Sequence, residues 1–200
     1  ELLRYYETRG EDWERQMLIK ANFLCGSENL YKKFYNSVSR FIYPATFSVS
    51  PIEQIKKLKT SIEQRSKSDE NIKFVSGGIR DIEFSLQALQ LPNGGKDLSI
   101  RTGNSLDAID KLSNKNILSK EEAEIFISVY VFYRRAEHFL QLMNDQQTHT
   151  IPAEGEIAEK LAHYLKFNDL KSFKEHLHLS KGKVQSIYNS IVGIDTSSDN

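Results

Sequence analysis

Two hundred residues, 39% of them apolar, are enough to bury a core as one domain or two small ones. Lys+Arg and Asp+Glu both number 27, so no net field draws the chain to nucleic acid or to an acidic membrane surface. The single cysteine, Cys25, excludes an internal disulfide and is expected to be a small buried apolar residue in a reducing compartment. No apolar run approaches the roughly 20 residues that span a bilayer, and no signal-peptide pattern opens the chain, so a soluble cytoplasmic protein is expected. The chain opens at Glu1 without a methionine and with a helical pattern already under way, which points to a piece of something longer.

Apolar residues recur at spacings of three and four, and capping residues mark the turns, so the fold class is all-α. Trp13, Met17, Leu18 and Phe23 mark a first helical segment, broken by Gly26-Ser27. A second runs over Leu30, Phe34, Val38, Phe41 and Ile42 and ends before Pro44. Ser50-Pro51-Ile52-Glu53 has the form of a capping box with proline at the first helical position, opening a helix through Ile55, Leu58 and Ile62. Arg65 to Asn71 reads as a solvated loop and Ile72 to Val75 as a short strand. Gly77-Gly78 then turns the chain into a helix with Ile79, Ile82, Leu86 and Leu89 on one stripe, stopped by Pro92-Asn93-Gly94-Gly95.

Leu106, Ile109 and Leu112 mark the next helix, and Ser119-Lys120-Glu121-Glu122 is a second capping box. The helix after it carries the longest apolar stripe, Ile125 to Met143, and is expected to be the long central one. Ile157, Leu161 and Leu165 mark another, and a last helix runs from Leu170 towards Ile191. The expected organisation is a helical region over 1–75, a helical bundle over 76–194 and a frayed tail over 195–200.

The sequence Ser76-Gly77-Gly78-Ile79-Arg80-Asp81-Ile82-Glu83-Phe84, with Gln87 on the same helix, is the foremost candidate site. Two glycines before a helix let the backbone approach a ligand, and free first-turn N–H groups favour phosphate, with Arg80 adding charge. Asp81 and Glu83 either complement the helix dipole or position a metal-bound or hydroxyl group. Gly10 to Arg15, with Lys20 beyond, is either a solvated face anchored by Trp13 or places Arg15 and Lys20 beside phosphates. Arg134, Arg135, Glu137 and His138 suit helix-to-helix ion pairs or polar contact with a protein substrate. His176 and His178 are two apart, on different helical faces, which argues against a metal pair. The sequence contains no Gly-x-x-x-x-Gly-Lys-Ser/Thr loop, no Gly-x-Ser-x-Gly elbow and no Cys/His metal spacing.

Read in order, Tyr5-Tyr6-Glu7, Gly10 to Arg15, Lys20-Ala21, Asn71-Ile72-Lys73, Gly77 to Phe84, Gln87, Gln90-Leu91 and Gly94-Gly95 resemble the bifunctional glutamine synthetase adenylyltransferase/deadenylylase family. Tyr130, Phe132, Arg134-Arg135, Glu137, Leu140-Gln141, Asn144-Asp145, Gln147-Thr148 and Ile151-Pro152 continue the match, which departs at Asn22 and at Phe74-Val75-Ser76. The Arg-Arg-x-Glu and Asn-Asp-x-Gln-Thr stretches look more like the AMP-removing, N-terminal half.

The resemblance implies a helical part flanking a polymerase-β-type nucleotidyltransferase core that is itself absent. That core's metal-binding carboxylates would lie upstream of Glu1, leaving no catalytic or metal-binding residue in this chain. It implies Mg2+ and ATP/ADP as cofactors of the longer enzyme, none bound tightly here, and glutamine synthetase and the PII signalling protein as partners in nitrogen regulation. Gly77, Gly78, Arg80, Asp81, Glu83 and Gln87, with Arg15 and Lys20, would face nucleotide or the modified tyrosine. A helical docking module for glutamine synthetase or PII, and the helical part of a PII uridylyltransferase, are the alternatives. Self-association of the chain is also expected.

Overall fold

The computed structural model describes residues 2–65, 71–144 and 148–193. Those residues form nine α-helices: α1 (Leu2–Arg9), α2 (Asp12–Ile19), α3 (Glu28–Ile42), α4 (Pro51–Arg65), α5 (Ile79–Gly94), α6 (Ser105–Asn114), α7 (Lys120–Asn144), α8 (Glu156–Tyr164) and α9 (Leu170–Val192). A 3-10 turn over Leu98–Ile100 links α5 to α6. The all-α class is as expected, with a single isolated antiparallel bridge, Asn71 to Thr150, among the described residues. The tail at 195–200 and most of the polar segment at 65–71 lie outside them.

Polar caps set several helix starts. Asn104 accepts the N–H groups of Leu106 and Asp107, Asp169 accepts that of Ser172, and Ser119 and Glu122 cap each other reciprocally as a capping box requires. Each side chain takes an N–H that the first turn leaves without an intrahelical acceptor.

Four expectations are corrected. Ile72 to Val75 is a turn and not a strand, because Asn71 Oδ1 captures the N–H groups of Lys73 and Phe74 and folds the chain back on itself. The helix that begins at Ile79 runs through Pro92 to Gly94, where Asn93 Nδ2 donates to the Leu89 carbonyl inside the last turn. Phe23 lies beyond the end of α2. Cys25 is exposed in the link to α3.

The centre of the molecule is α5, although α7 is the longest helix at 25 residues. Around α5 pack α4, α6, α7 and α9, and its buried residues include Asp81, Glu83, Gln87 and Gln90 as well as Ile79, Ile82, Phe84 and Leu86. A helix buried all round must satisfy its polar groups with distant partners. Gln90 Nε2 does so by donating to the carbonyls of Ile100 and Thr102, at 3.1 and 3.0 Å.

The main core joins Ile55 of α4 and Ile72 to α5 and to Phe126, Tyr133, Leu161, Phe173 and Val184. A smaller core gathers Leu18, Ile19, Val38, Ile42 and Tyr43 against Leu91 of α5. Helices α1 to α3 are therefore held to the rest through Leu91 of α5 and through the packing of α2 on α4.

Candidate functional site

The paired glycines make a tight internal turn. Gly77 has φ of 77°, in the left-handed region, and a Cβ there would sit 2.2 Å from the Lys181 carbonyl oxygen of α9. At Gly78 a Cβ would meet the Ile72 carbonyl at 2.5 Å. The first-turn N–H groups are not directed outward: Gly78 donates to Val75 O, Ile79 to Ile72 O and Arg80 to Lys73 O, at 2.9, 2.9 and 3.1 Å. Gly77 N–H donates to Asp81 Oδ2 at 2.7 Å, and the Gly77 carbonyl accepts from Tyr133 Oη at 3.0 Å. The backbone of the turn is thus used up in closing the turn on itself and in holding it to Tyr133 of α7, while Gly77 lies directly against the α9 backbone.

Asp81 belongs to the same structural group. Its carboxylate takes the Lys59 ammonium at 2.8 Å, and that ammonium lies over the Tyr188 ring at 3.8 Å. Burial raises the Asp81 carboxyl above its ordinary value, with Lys59 and the Gly77 N–H acting in the opposite direction.

Glu83, two residues further along α5 and so on the other side of the helix, faces a cleft of about 510 Å³ lined by Lys20, Lys73, Arg80, Tyr130 and Arg134 and by the 103–106 segment at the start of α6. Glu83 is 6% exposed and is approached by Arg134 at 2.8 Å, Arg80 at 3.3 Å and Lys20 at 3.7 Å. Arg134 also reaches Glu137 at 2.7 Å, and Lys73 reaches Glu137 at 3.7 Å. His149 Nδ1 lies 2.7 Å from Glu137, and Tyr130 Oη accepts from Arg134 at 3.0 Å.

Four cations therefore meet two buried carboxylates at one cleft. The carboxylates hold the cations in place without neutralising them all, so the cleft can take an anion with several donors at once. Burial lowers the Lys20 ammonium below its ordinary value, Glu83 opposing, so an incoming anion would favour its charged form.

The structure places Lys20, Arg80 and Glu83 together. Gln87 lines a second, adjoining cleft with Gln16, and Arg15 lies elsewhere, stacked on Phe41 at 4.2 Å, paired with Asp12 at 3.3 Å and hydrogen-bonded to the Phe41 carbonyl. Gly77, Gly78 and Asp81 are packed inside. Lys73 and Tyr130, which the sequence offered only as part of the family resemblance, also line the cleft, as does Ser105, whose hydroxyl accepts from Lys20 at 2.7 Å. The Arg134-to-Glu137 and Arg80-to-Glu83 pairs, each three apart on a helix, carried a readable signal. Magnesium, implied for the longer enzymes, finds no fit among the described residues. No group of three or more His, Cys, Asp or Glu gathers there, and Glu83 and Glu137 are already ringed by cations. No described helix is long and apolar enough to cross a membrane.

A helical bundle with a basic cleft is a form that comparison can place. The family model described as GlnD PII-uridylyltransferase matches residues 52–192, from α4 to the end of α9, and the chain belongs to that family. Over 212 aligned positions, covering 94% of the chain, it is 31% identical to the bifunctional glutamine synthetase adenylyltransferase/adenylyl-removing enzyme of Mannheimia haemolytica. The kinship with glutamine synthetase adenylyltransferases read from the sequence thus stands. The chain spans 22% of that enzyme's length. One name is that of a uridylyltransferase and the other that of an adenylyltransferase.

Proposed function

We propose that this chain is the helical wall of a nucleotidyltransferase that adds AMP to, and removes it from, a tyrosine of glutamine synthetase. Its basic cleft receives the phosphate-bearing group. The observation that carries this reading is the convergence of Lys20, Lys73, Arg80 and Arg134 on an open cleft in a family of nucleotidyl transferases. Held by Glu83 and Glu137, these side chains would bind and orient the phosphate without reorganising when it arrives. The bond-making carboxylates, with Mg2+ and ATP or ADP, belong in this reading to a strand core in the longer enzymes, and the chain alone does not turn over. Glutamine synthetase is its substrate protein, PII its regulatory partner, and the cytoplasm its compartment.

The test is a calorimetric titration of the chain with inorganic phosphate, beside a Lys20→Gln, Lys73→Gln double variant. Each substitution removes one cation at a partly exposed side chain, so the fold should persist. Weak phosphate binding that falls about tenfold in the variant is expected, equivalent to about 1.4 kcal/mol. Equal binding by the two proteins would sink the reading of the cleft. Release of AMP from adenylylated glutamine synthetase by the chain alone would show that the catalytic groups are misplaced.

A further inference from the structure

We propose that Gln16 and Gln87 select the base of the bound nucleotide, favouring one that carries an exocyclic amine, such as adenine, over uracil. The proposal rests on the reading of the basic cleft as a phosphate site. Beside that cleft lies a second, of about 390 Å³, walled by Trp13, Met17, Ile62 and Phe84. Lys20 and Arg80 line both clefts, so a ligand whose phosphate sits among the cations has its next group directed to this apolar wall.

Two polar side chains break that wall. Gln16 is 5% exposed and Gln87 3%, and the Oε1 atom of each is buried with no hydrogen-bond partner. The Nε atom of Arg80 is likewise buried without one. Unpaired buried acceptors are rare in folded proteins, and these two line a cleft wide enough for an aromatic ring. The orientation of the Gln87 amide is set by its neighbour. Its Nε2 lies 3.5 Å from the Gln16 carbonyl, and a flipped amide would set two oxygens against each other.

The wall of the cleft thus holds two unpaired acceptors and one unpaired donor, buried in the free chain. An exocyclic amine supplies two N–H groups to the acceptors, and a ring nitrogen can accept from Arg80 Nε. Uracil would turn a carbonyl oxygen towards the same acceptors and leave them unpaired. A site built to hydrogen-bond a donor rejects an analogue that lacks it far more strongly than an apolar pocket can.

CMP and UMP differ on this edge in the amine-for-oxygen exchange and in N3, an acceptor in cytosine and an N–H donor in uracil, and Trp13 is the chain's single tryptophan and stands in the cleft wall. Trp13 fluorescence of the chain would be titrated with AMP, CMP and UMP up to about 10 mM, well above a Kd of about 1 mM. Inorganic phosphate is the competitor. Tighter binding of AMP and CMP than of UMP, by about tenfold, is expected, with phosphate displacing all three. Gln87→Leu and, separately, Gln16→Leu should each narrow the CMP-to-UMP difference while leaving phosphate competition unchanged. Equal binding of CMP and UMP to the unaltered chain, with phosphate still competing, overturns base selection and leaves the phosphate site standing. No response to any nucleotide or to phosphate overturns both.

Discussion

At Glu83 a single buried carboxylate organises three cations, and its removal should be felt in stability as well as in binding. Glu83→Gln would leave Arg80, Arg134 and Lys20 clustered without their common counter-charge. Breaking a buried ion pair by removing one partner costs about 3–5 kcal/mol, and partial exposure of these cations brings the expectation to about 2–3 kcal/mol. Urea unfolding measures it, and a loss under about 0.5 kcal/mol would mean that solvent already screens the cluster. His149 gives a pH-dependent counterpart. Burial first, then the Lys73 and Arg134 charges, hold its imidazole below the ordinary value of 6.5, with Glu137 opposing. Because the folded value is the lower one, the unfolded chain binds the extra proton more readily. The contribution is present above pH 6.5 and is lost as pH falls through the depressed value. His149→Gln should therefore lose less stability than the unaltered chain on going from neutral pH to below 6.5, and parallel pH profiles for the two proteins would refute this. Asp81 has the opposite sign: its folded value is raised, so its contribution is lost as pH rises from 3.8 through that raised value.

Among the elements, the turn into α5 shows how far the sequence could be read. The paired glycines announced a turn and a helix start, and both are there. Whether the amides of that turn were free for phosphate was not legible, because the answer lies in the carbonyls of Ile72, Lys73 and Val75, and Asn71 is what folds them back. Burial of α5 was hidden for a related reason. Asp81, Glu83, Gln87 and Gln90 give no sign of burial in the sequence until Lys59, Arg134, the Gln16 carbonyl and the 100–102 segment are brought to them. Where a stripe was continuous, as on α7, period and length sufficed. The turn yields its own prediction. Gly77→Ala must hold a side chain at positive φ against the α9 backbone and should cost at least about 2 kcal/mol. Tyr133→Phe leaves the Gly77 carbonyl unpaired and should cost about 1–2 kcal/mol. Thermal unfolding ranks the two, and an alanine variant as stable as the unaltered protein would contradict the packing of Gly77 on Lys181.

Across the whole molecule, exposed apolar side chains are unevenly spread. Leu2, Leu3, Tyr5, Trp13, Met17, Leu24 and Leu30 all lie within the first 30 residues, with Leu24 90% exposed and Leu30 68%. The small core beneath α1 to α3 buries only part of the apolar content of these helices, and concentrated apolar surface of this kind favours association. Self-association through the α1 to α3 face is therefore expected, growing with concentration. A Leu24→Glu, Leu30→Glu double variant should shift the chain towards monomer in sedimentation velocity, because each new charge would have to be buried at the contact. It should leave the unfolding temperature almost unchanged, since neither side chain is packed in the folded monomer. A compact monomer at high concentration before any substitution would remove the idea. Association that survives both charges would place the contact elsewhere on the surface.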